Sequence, residues 1–301
     1  MKPSAWCVWA ALLLLVHYLP AQSISKPYFA AEIANDVFYL PLKTDRYFTS
    51  GIQLEAGRSN LQPNLLIPAL NTHHTRYWRI NQSIFTPQAI DSVRLVRGDH
   101  PFASYLVLSN GVSVVQPLLG TTVTSEWTLG VLGKYSGGGR MQNALHRMVN
   151  FAEEIPGWNH EVKPDLIVNY RLHYQRLFFL SPRLHFEARL AGQLGSLYTD
   201  GSMGMALRAV PLQFNSRTFV ELILGSTTRV VGYNATLSGG LFNRDDRYRG
   251  VIVPKRIVGR TEYGGAVHLN GLVLEGGVVM LGKEFDGGLS HRWAWIGLRL
   301  E

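Results

Sequence analysis

Leu166-Ile167-Val168-Asn169-Tyr170-Arg171-Leu172-His173-Tyr174-Gln175 alternates with a period of two. Leu166, Val168, Tyr170, Leu172 and Tyr174 share one face of an extended strand, and Asn169, Arg171, His173 and Gln175 share the other. Past the turn signal Ser181-Pro182 the pattern returns, with Leu184, Phe186, Ala188 and Leu190 opposed to His185, Glu187, Arg189 and Gln193. A soluble sandwich also alternates, but it turns its apolar face to a core. A membrane barrel turns that face to lipid and lines its interior with polar groups. Strand-like segments about ten residues long, aromatic residues near their ends and sparse charge favour the barrel over a secreted sandwich.

The same reading extends outward to segments 28–34, 47–57, 75–85, 102–115, 121–132, 166–177, 183–194, 203–214, 219–228, 230–242, 261–281 and 291–300. The long 261–281 stretch reads as one strand or two. The expected fold is therefore all-β, an antiparallel up-and-down transmembrane barrel of about 12 strands, with short turns at one end and longer loops at the other. Closure satisfies every backbone N–H and C=O inside lipid, where an open edge would cost several kcal/mol per group.

The composition agrees. Of 301 residues, 46% are hydrophobic and 17% charged, with Lys+Arg 29 against Asp+Glu 21 for a formal net charge of +8. Mean hydropathy is +0.02 and the pI about 9.6. Disordered and collagen-like chains are excluded. Lys2, the apolar run Ala5 to Val16 and Leu19-Pro20-Ala21 make residues 1–21 a secretory signal, leaving 22–301 as one barrel domain. Cys7, the single cysteine, lies well ahead of the Leu19-Pro20-Ala21 cleavage site, so it marks neither a lipoprotein nor a disulfide. No later stretch contains 18 consecutive apolar residues.

Two places break the strand rhythm. Residues 140–152 follow Gly137-Gly138-Gly139 and put Met141, Leu145, Met148, Val149 and Ala152 on one side at 3.6 residues per turn, a short amphipathic loop helix ending near Ile155-Pro156-Gly157. Gln142 and His146, at i and i+4, share its polar border. Taken alone, this is also what a plain loop helix with a surface histidine looks like. At the start of the barrel, Asn35-Asp36 precedes Thr44-Asp45-Arg46-Tyr47-Phe48-Thr49-Ser50-Gly51. If no bulge intervenes, Thr49 shares a face with Gln53 and Glu55. Asn-Asp is ordinary turn chemistry. A carboxylate, an amide carbonyl and a hydroxyl are also the hard oxygen donors that Ca²⁺ prefers.

Ile33-Ala34-Asn35-Asp36, the segment Thr44 to Gly51, Phe85-Thr86-Pro87, Arg97-Gly98-Asp99-His100-Pro101-Phe102-Ala103, Met141-Gln142-Asn143-Ala144-Leu145-His146-Arg147 and Pro156-Gly157-Trp158, in this order and spacing, resemble the lipid A deacylase family of Gram-negative outer membranes. The resemblance covers roughly Ile33 to Tyr174; beyond it the chain matches as generic barrel strands. It implies a twelve-stranded outer-membrane barrel that removes acyloxyacyl chains from lipid A by Ca²⁺-dependent ester hydrolysis. The family's general base corresponds to His146 and its glutamine to Gln142. Its Asn-Asp pair corresponds to Asn35 and Asp36, which would hold the metal, and its small hydroxyl residue to Thr49. The chain departs from the family at Val37, where a further acidic residue is common, and at Gly297 to Glu301, which lack a terminal aromatic.

The residue types suit that chemistry. An imidazole of ordinary pKa near 6.5 can take a proton from water at neutral pH, and Ca²⁺ at Asp36 would stabilise the developing oxyanion. A serine nucleophile is disfavoured, since no Gly-x-Ser-x-Gly elbow exists and neither Ser50 nor Ser104 has a histidine beside it in sequence. Zinc is disfavoured because His73-His74 lacks helical i, i+4 spacing and no cysteine cluster exists. Arg94, Arg97 and Arg140 are the expected contacts for lipid A phosphates, though each also reads as a solvated loop charge. His100, His160 and His173 are expected to be bystanders. The expected partners are lipopolysaccharide and the outer-membrane bilayer, not nucleic acid, and the expected state is a monomer. A non-catalytic porin and another barrel lipid enzyme, a phospholipase or acyltransferase, are the alternatives.

Overall fold

The computed structural model describes residues 26–39, 46–62, 71–90, 92, 94–148 and 155–301, without the side chains of Gln62, Leu145, His146 and Met148. The signal segment 1–21 and the expected helix end in 149–154 lie outside the described residues. Twelve antiparallel strands form a closed barrel: β1 (Lys26–Asn35), β2 (Tyr47–Gln62), β3 (Thr72–Thr86), β4 (Ala103–Gln116), β5 (Thr121–Leu132), β6 (Asp165–Ser181), β7 (Leu184–Gly195), β8 (Tyr198–Asn215), β9 (Thr218–Asn234), β10 (Ile257–Leu269), β11 (Leu272–Leu281) and β12 (His291–Leu300). Each strand pairs with its neighbours in sequence, and β1 closes on β12 from Phe29↔Leu300 to Asn35↔Ala294. Among the described residues no helix is long and apolar enough to cross a membrane; the strands make the crossing.

The number of strands agrees with the expected twelve, with one pair of segments merged and the open 261–281 stretch divided. Segments 219–228 and 230–242 form one strand, β9, interrupted only by the lumen-facing Arg229, which pairs with Glu284 at 2.8 Å. Residues beyond Asn234 instead start the short helix Ala235–Ser238, capped by the Asn234 side-chain oxygen, which accepts from the Thr236 N–H. The 261–281 stretch is two strands, β10 and β11, joined at Asn270-Gly271, both with positive φ (48° and 102°). That is the conformation a two-residue hairpin demands and asparagine-glycine supplies.

Alternation sorts the two faces as a membrane barrel requires. Leu166, Val168, Leu172 and Tyr174 project outward and are exposed, as are Trp78, Ile80, Trp127 and Leu129 on neighbouring strands. Inside, Glu187 is completely buried and bonds Arg189 and, at 2.6 Å, Arg208. Arg189 also reaches Glu262 (2.5 Å) and Arg208 reaches Glu221 (3.0 Å), while Arg79 bridges Glu55 (2.7 Å) and Glu126 (2.8 Å). These pairs let charges occupy a desolvated lumen. Below them Arg171, His173, Gln175 and Arg299 help line a cavity of about 480 Å³.

The two ends of the barrel differ. Connections 117–120, 182–183, 216–217 and 270–271 are short; at the opposite end 87–102, 133–164, 235–256 and 282–290 are long. The long connections fold into the mouth and pack it with a core that includes Tyr47, Phe85, Val162, Leu237, Tyr248, Ile252 and Phe285. His100 is buried there, stacked on Phe85 with ring centroids 5.4 Å apart. It is therefore a core residue of the mouth.

Candidate functional site on the outer wall

The site is built at the long-loop end, on the lipid-facing side of the wall. β1 stops at Asn35, whose side-chain oxygen accepts from the Val37 N–H (2.8 Å) and caps a 3-10 turn, Asp36–Phe38. The chain thus leaves the strand before Asp36, so the alternation of β1 does not set the direction of the Asp36 side chain. Asp36 is completely buried, and its Oδ2 accepts from the Arg46 N–H at 3.1 Å. Across the ladder Asn35 pairs with Ser50, and β2 shifts register between Phe48 and Ser50. A bulge does intervene at Thr49, so parity with Gln53 and Glu55 does not fix its direction. Its hydroxyl instead meets that of Thr86 at 2.8 Å, inside a buried site.

Thr86 ends β3 on the outward series Trp78, Ile80, Gln82 and Ile84. Helix α1, Gly138–Met148, lies over the preceding residues of that series. It starts two residues earlier than the expected range 140–152, because Gly138 and Gly139 belong to its first turn. A β-carbon at Gly138 would stand 2.3 Å from the Ser104 Cβ and 3.2 Å from Ile84, so only glycine lets the helix lie this close to β3 and β4. Gln82 Nε2 donates to the Ser136 carbonyl at 2.7 Å, tying the entry of α1 to the same outer face.

Gln142 is buried, and its side-chain oxygen accepts from Trp158 Nε1–H at 3.1 Å. Trp158 also covers Gly139 and packs on Phe102, with centroids 5.0 Å apart. The backbone of His146 falls in α1 one turn beyond Gln142; its side chain lies outside the described residues. β3 therefore brings two groups together on one face, holding Thr49 through Thr86 and α1 through Ile84. Arg140 is exposed on the first turn of α1. Arg94 and Arg97 are exposed on connection 87–102, which runs from Ile90, beside Gly157, to Gly98, beside Gly287 over the mouth.

Sequence reasoning missed a second buried cluster beside α1. Ser104, set aside for want of a histidine, is hydrogen-bonded to the Glu161 carboxyl and lies 2.5 Å from the Ser136 hydroxyl. Burial pushes the Glu161 carboxyl up to about 7, against the opposing pull of the Ser104 hydrogen bond and the Lys134 charge. In the mouth, burial pushes the His100 imidazole down to about 4. A serine following an outward-facing strand start was visible in the sequence, but its partners come from 32 and 57 residues away.

A sequence model of the outer membrane protein LpxR family matches residues 7–300. The chain belongs to that family. The match extends the resemblance read over Ile33–Tyr174 to nearly the whole chain, and it agrees with the barrel in placing the protein in the bacterial outer membrane. The solved structure of LpxR from Salmonella typhimurium aligns with a TM-score of 0.76 at 16% identity, covering 91% of this chain and 99% of that one. The β domain of the Bordetella autotransporter BrkA aligns with a TM-score of 0.53 at 10% identity, covering 92% and 98%. At such identities both likenesses speak for the fold alone. No match is found among curated protein sequences.

Proposed function

We propose that this barrel is a lipid A deacylase, hydrolysing ester-linked acyloxyacyl chains at the outer surface of the outer membrane. The observation that supports this best is the location of α1: the helix carrying Gln142 and His146 is fastened to the lipid-facing wall beside Thr86, not to the lumen. A substrate whose acyl chains lie in the outer leaflet reaches that face without leaving the membrane. The mouth, packed by the Tyr47–Phe285 cluster, suits a porin poorly.

In this reading His146 accepts the proton of the attacking water, and Gln142, held by Trp158, orients the imidazole or the sugar. Thr49, set by Thr86, and Asn35 complete the wall side of the site. Arg140, Arg94 and Arg97 would bind the phosphates through their planar forks. The donor types fit a hard cation: Asp36 offers a buried carboxylate, its sequence neighbour Asn35 an amide oxygen, and Thr49, on the strand that pairs with β1, a hydroxyl. The Asn35 oxygen already caps its turn and would share that role. Ca²⁺ bound there would stabilise negative charge on the ester carbonyl oxygen.

Mass spectrometry of lipid A from cells expressing the protein tests the reading. Lipid A lighter by one or more acyl chains is expected. Unchanged lipid A with ion conductance in planar bilayers would replace it with the porin, and fatty acid released from glycerophospholipid would replace it with a phospholipase.

A further inference from the structure

Near the short-turn end, far from α1, the lipid-facing wall carries a basic groove. Outward residues of neighbouring strands form two cross-strand rows there. The row nearer the bilayer centre is Phe29, Ala56 and Trp78; the row nearer the turns is Pro27, Arg58, Arg76 and Val112. Ala56 is the small member between two exposed aromatic side chains, so the wall is troughed at that point. Next to the trough, Arg58 and Arg76 are register partners on one face, and both are exposed. With Pro27, Ala56, Trp78 and Val112 they line a groove of about 670 Å³.

Like charges directly opposite one another on a sheet repel. Among the described residues neither guanidinium has an ion pair or a hydrogen bond to offset that repulsion. The outward series of β1 to β5 contain no Asp or Glu, and the connection 63–71 has none in its sequence. Glu55 and Glu126 of the same strands face the lumen, where Arg79 engages both. The protein thus concentrates positive charge here and does not neutralise it. Depth says what can. Arg58 and Arg76 stand four residues from the strand ends Gln62 and Thr72, beyond Trp78 and Trp127, exposed aromatics that share a row through Asn110. Such a girdle marks the membrane interface, and short turns face the periplasm.

We propose that Arg58 and Arg76 bind the phosphodiester of a glycerophospholipid in the periplasmic leaflet, with one acyl chain lying over Ala56 between Phe29 and Trp78. Two guanidinium forks suit the phosphate oxygens. The chain would continue toward the bilayer centre over Leu54 and Ile80, register partners that are both exposed. A lipid held by the folded barrel alone stabilises it. The site goes beyond the hydrolase reading and does not depend on it.

Native mass spectrometry of the purified barrel in detergent micelles, titrated with phosphatidylglycerol or with diacylglycerol of the same chains, tests the site. Wild type should retain one phosphatidylglycerol and no diacylglycerol. The double variant Arg58→Gln, Arg76→Gln should bind phosphatidylglycerol at least about 10-fold more weakly, the order of one charge-assisted contact. Arg176→Gln removes an outward arginine near the same end, one that lies over the Phe178 ring and has no arginine opposite, and should leave binding unchanged. Undiminished retention by the double variant, or an equal loss in Arg176→Gln, would overturn the site in favour of unspecific snorkelling. Equal retention of diacylglycerol would overturn the role of the phosphate. The thermal midpoint of wild type in the same micelles should rise with phosphatidylglycerol and not with diacylglycerol, which decides without a variant should the double substitution fail to fold. Fatty-acid release should be the same in wild type and the double variant, so absence of release from both would sink the hydrolase reading and leave the lipid site standing.

Discussion

Leu172→Arg tests which face of the wall meets lipid. Leu172 lies near the middle of β6, 48% exposed, and its register neighbours are Ser125 on β5 and Gly192 on β7. Neither small residue shields a guanidinium, and neither supplies a carboxylate. An arginine near the bilayer midplane costs about 2–4 kcal/mol on the lipid face of such a barrel. At about 1.4 kcal/mol per decade, a mid-range cost of about 3 kcal/mol shifts the folding equilibrium by roughly two orders of magnitude. Its sequence neighbour Arg171 points into the lumen, where it lines the cavity of about 480 Å³ opposite Glu126, and Glu126 is already paired with Arg79 at 2.8 Å. Arg171→Ala should therefore cost under about 1 kcal/mol. Urea titration of folding into phosphatidylcholine vesicles, read by tryptophan emission and by the mobility of unheated samples on gels, measures both. Phe186→Arg, on the outward face of β7, should follow Leu172→Arg. Equal stability of all three variants would refute the assignment of faces.

Glu187→Ala removes the carboxylate between Arg189 and Arg208 and should destabilise the barrel by about 3 kcal/mol in the same titration, the low end for a broken buried pair, because Glu262 and Glu221 remain as partners. Gly138→Ala puts a β-carbon into Ser104 and should lift α1 off the wall, abolishing fatty-acid release while the barrel still inserts, as gel mobility would report. His100 stays neutral in the mouth down to about 4, whereas the unfolded chain protonates near 6.5, so its contribution to stability is present above about 6.5 and is lost as pH falls towards 4. His100→Phe should narrow the difference in urea midpoint between pH 7.5 and pH 4.5; an unchanged difference would remove His100 from the acid response.

The barrel was legible because its signal is periodic and local. Alternation at Leu166 to Gln175 assigns faces residue by residue, and β5 and β12 fall on the expected limits, Thr121–Leu132 and His291–Leu300. The segment limits differ at Arg229, a lumen-facing charge inside β9, and the open choice of one strand or two over 261–281 is settled by the turn Asn270-Gly271, whose hairpin chemistry is local. The site was legible as a set of residue types but not as an arrangement. Thr49 sits in a bulge that sequence parity cannot reveal, and its partner Thr86 comes from the next strand. That α1 lies outside the wall follows from Gly138 resting on Ser104 and Ile84, contacts between distant segments. Ser104 looked unpromising because its partners, Ser136 and Glu161, are brought to it by the fold.

The most direct test of the catalytic reading is fatty-acid release from lipid A in vesicles by purified wild type and His146→Ala, with Ca²⁺ and with excess chelator, across pH. Wild type should release fatty acid only with Ca²⁺ and should lose activity as pH falls through the imidazole range near 6.5. His146→Ala should insert normally yet lose at least about 10²-fold. Hydrolysis by His146→Ala at the wild-type rate, or full wild-type activity in chelator, would contradict a Ca²⁺-assisted, histidine-activated attack by water.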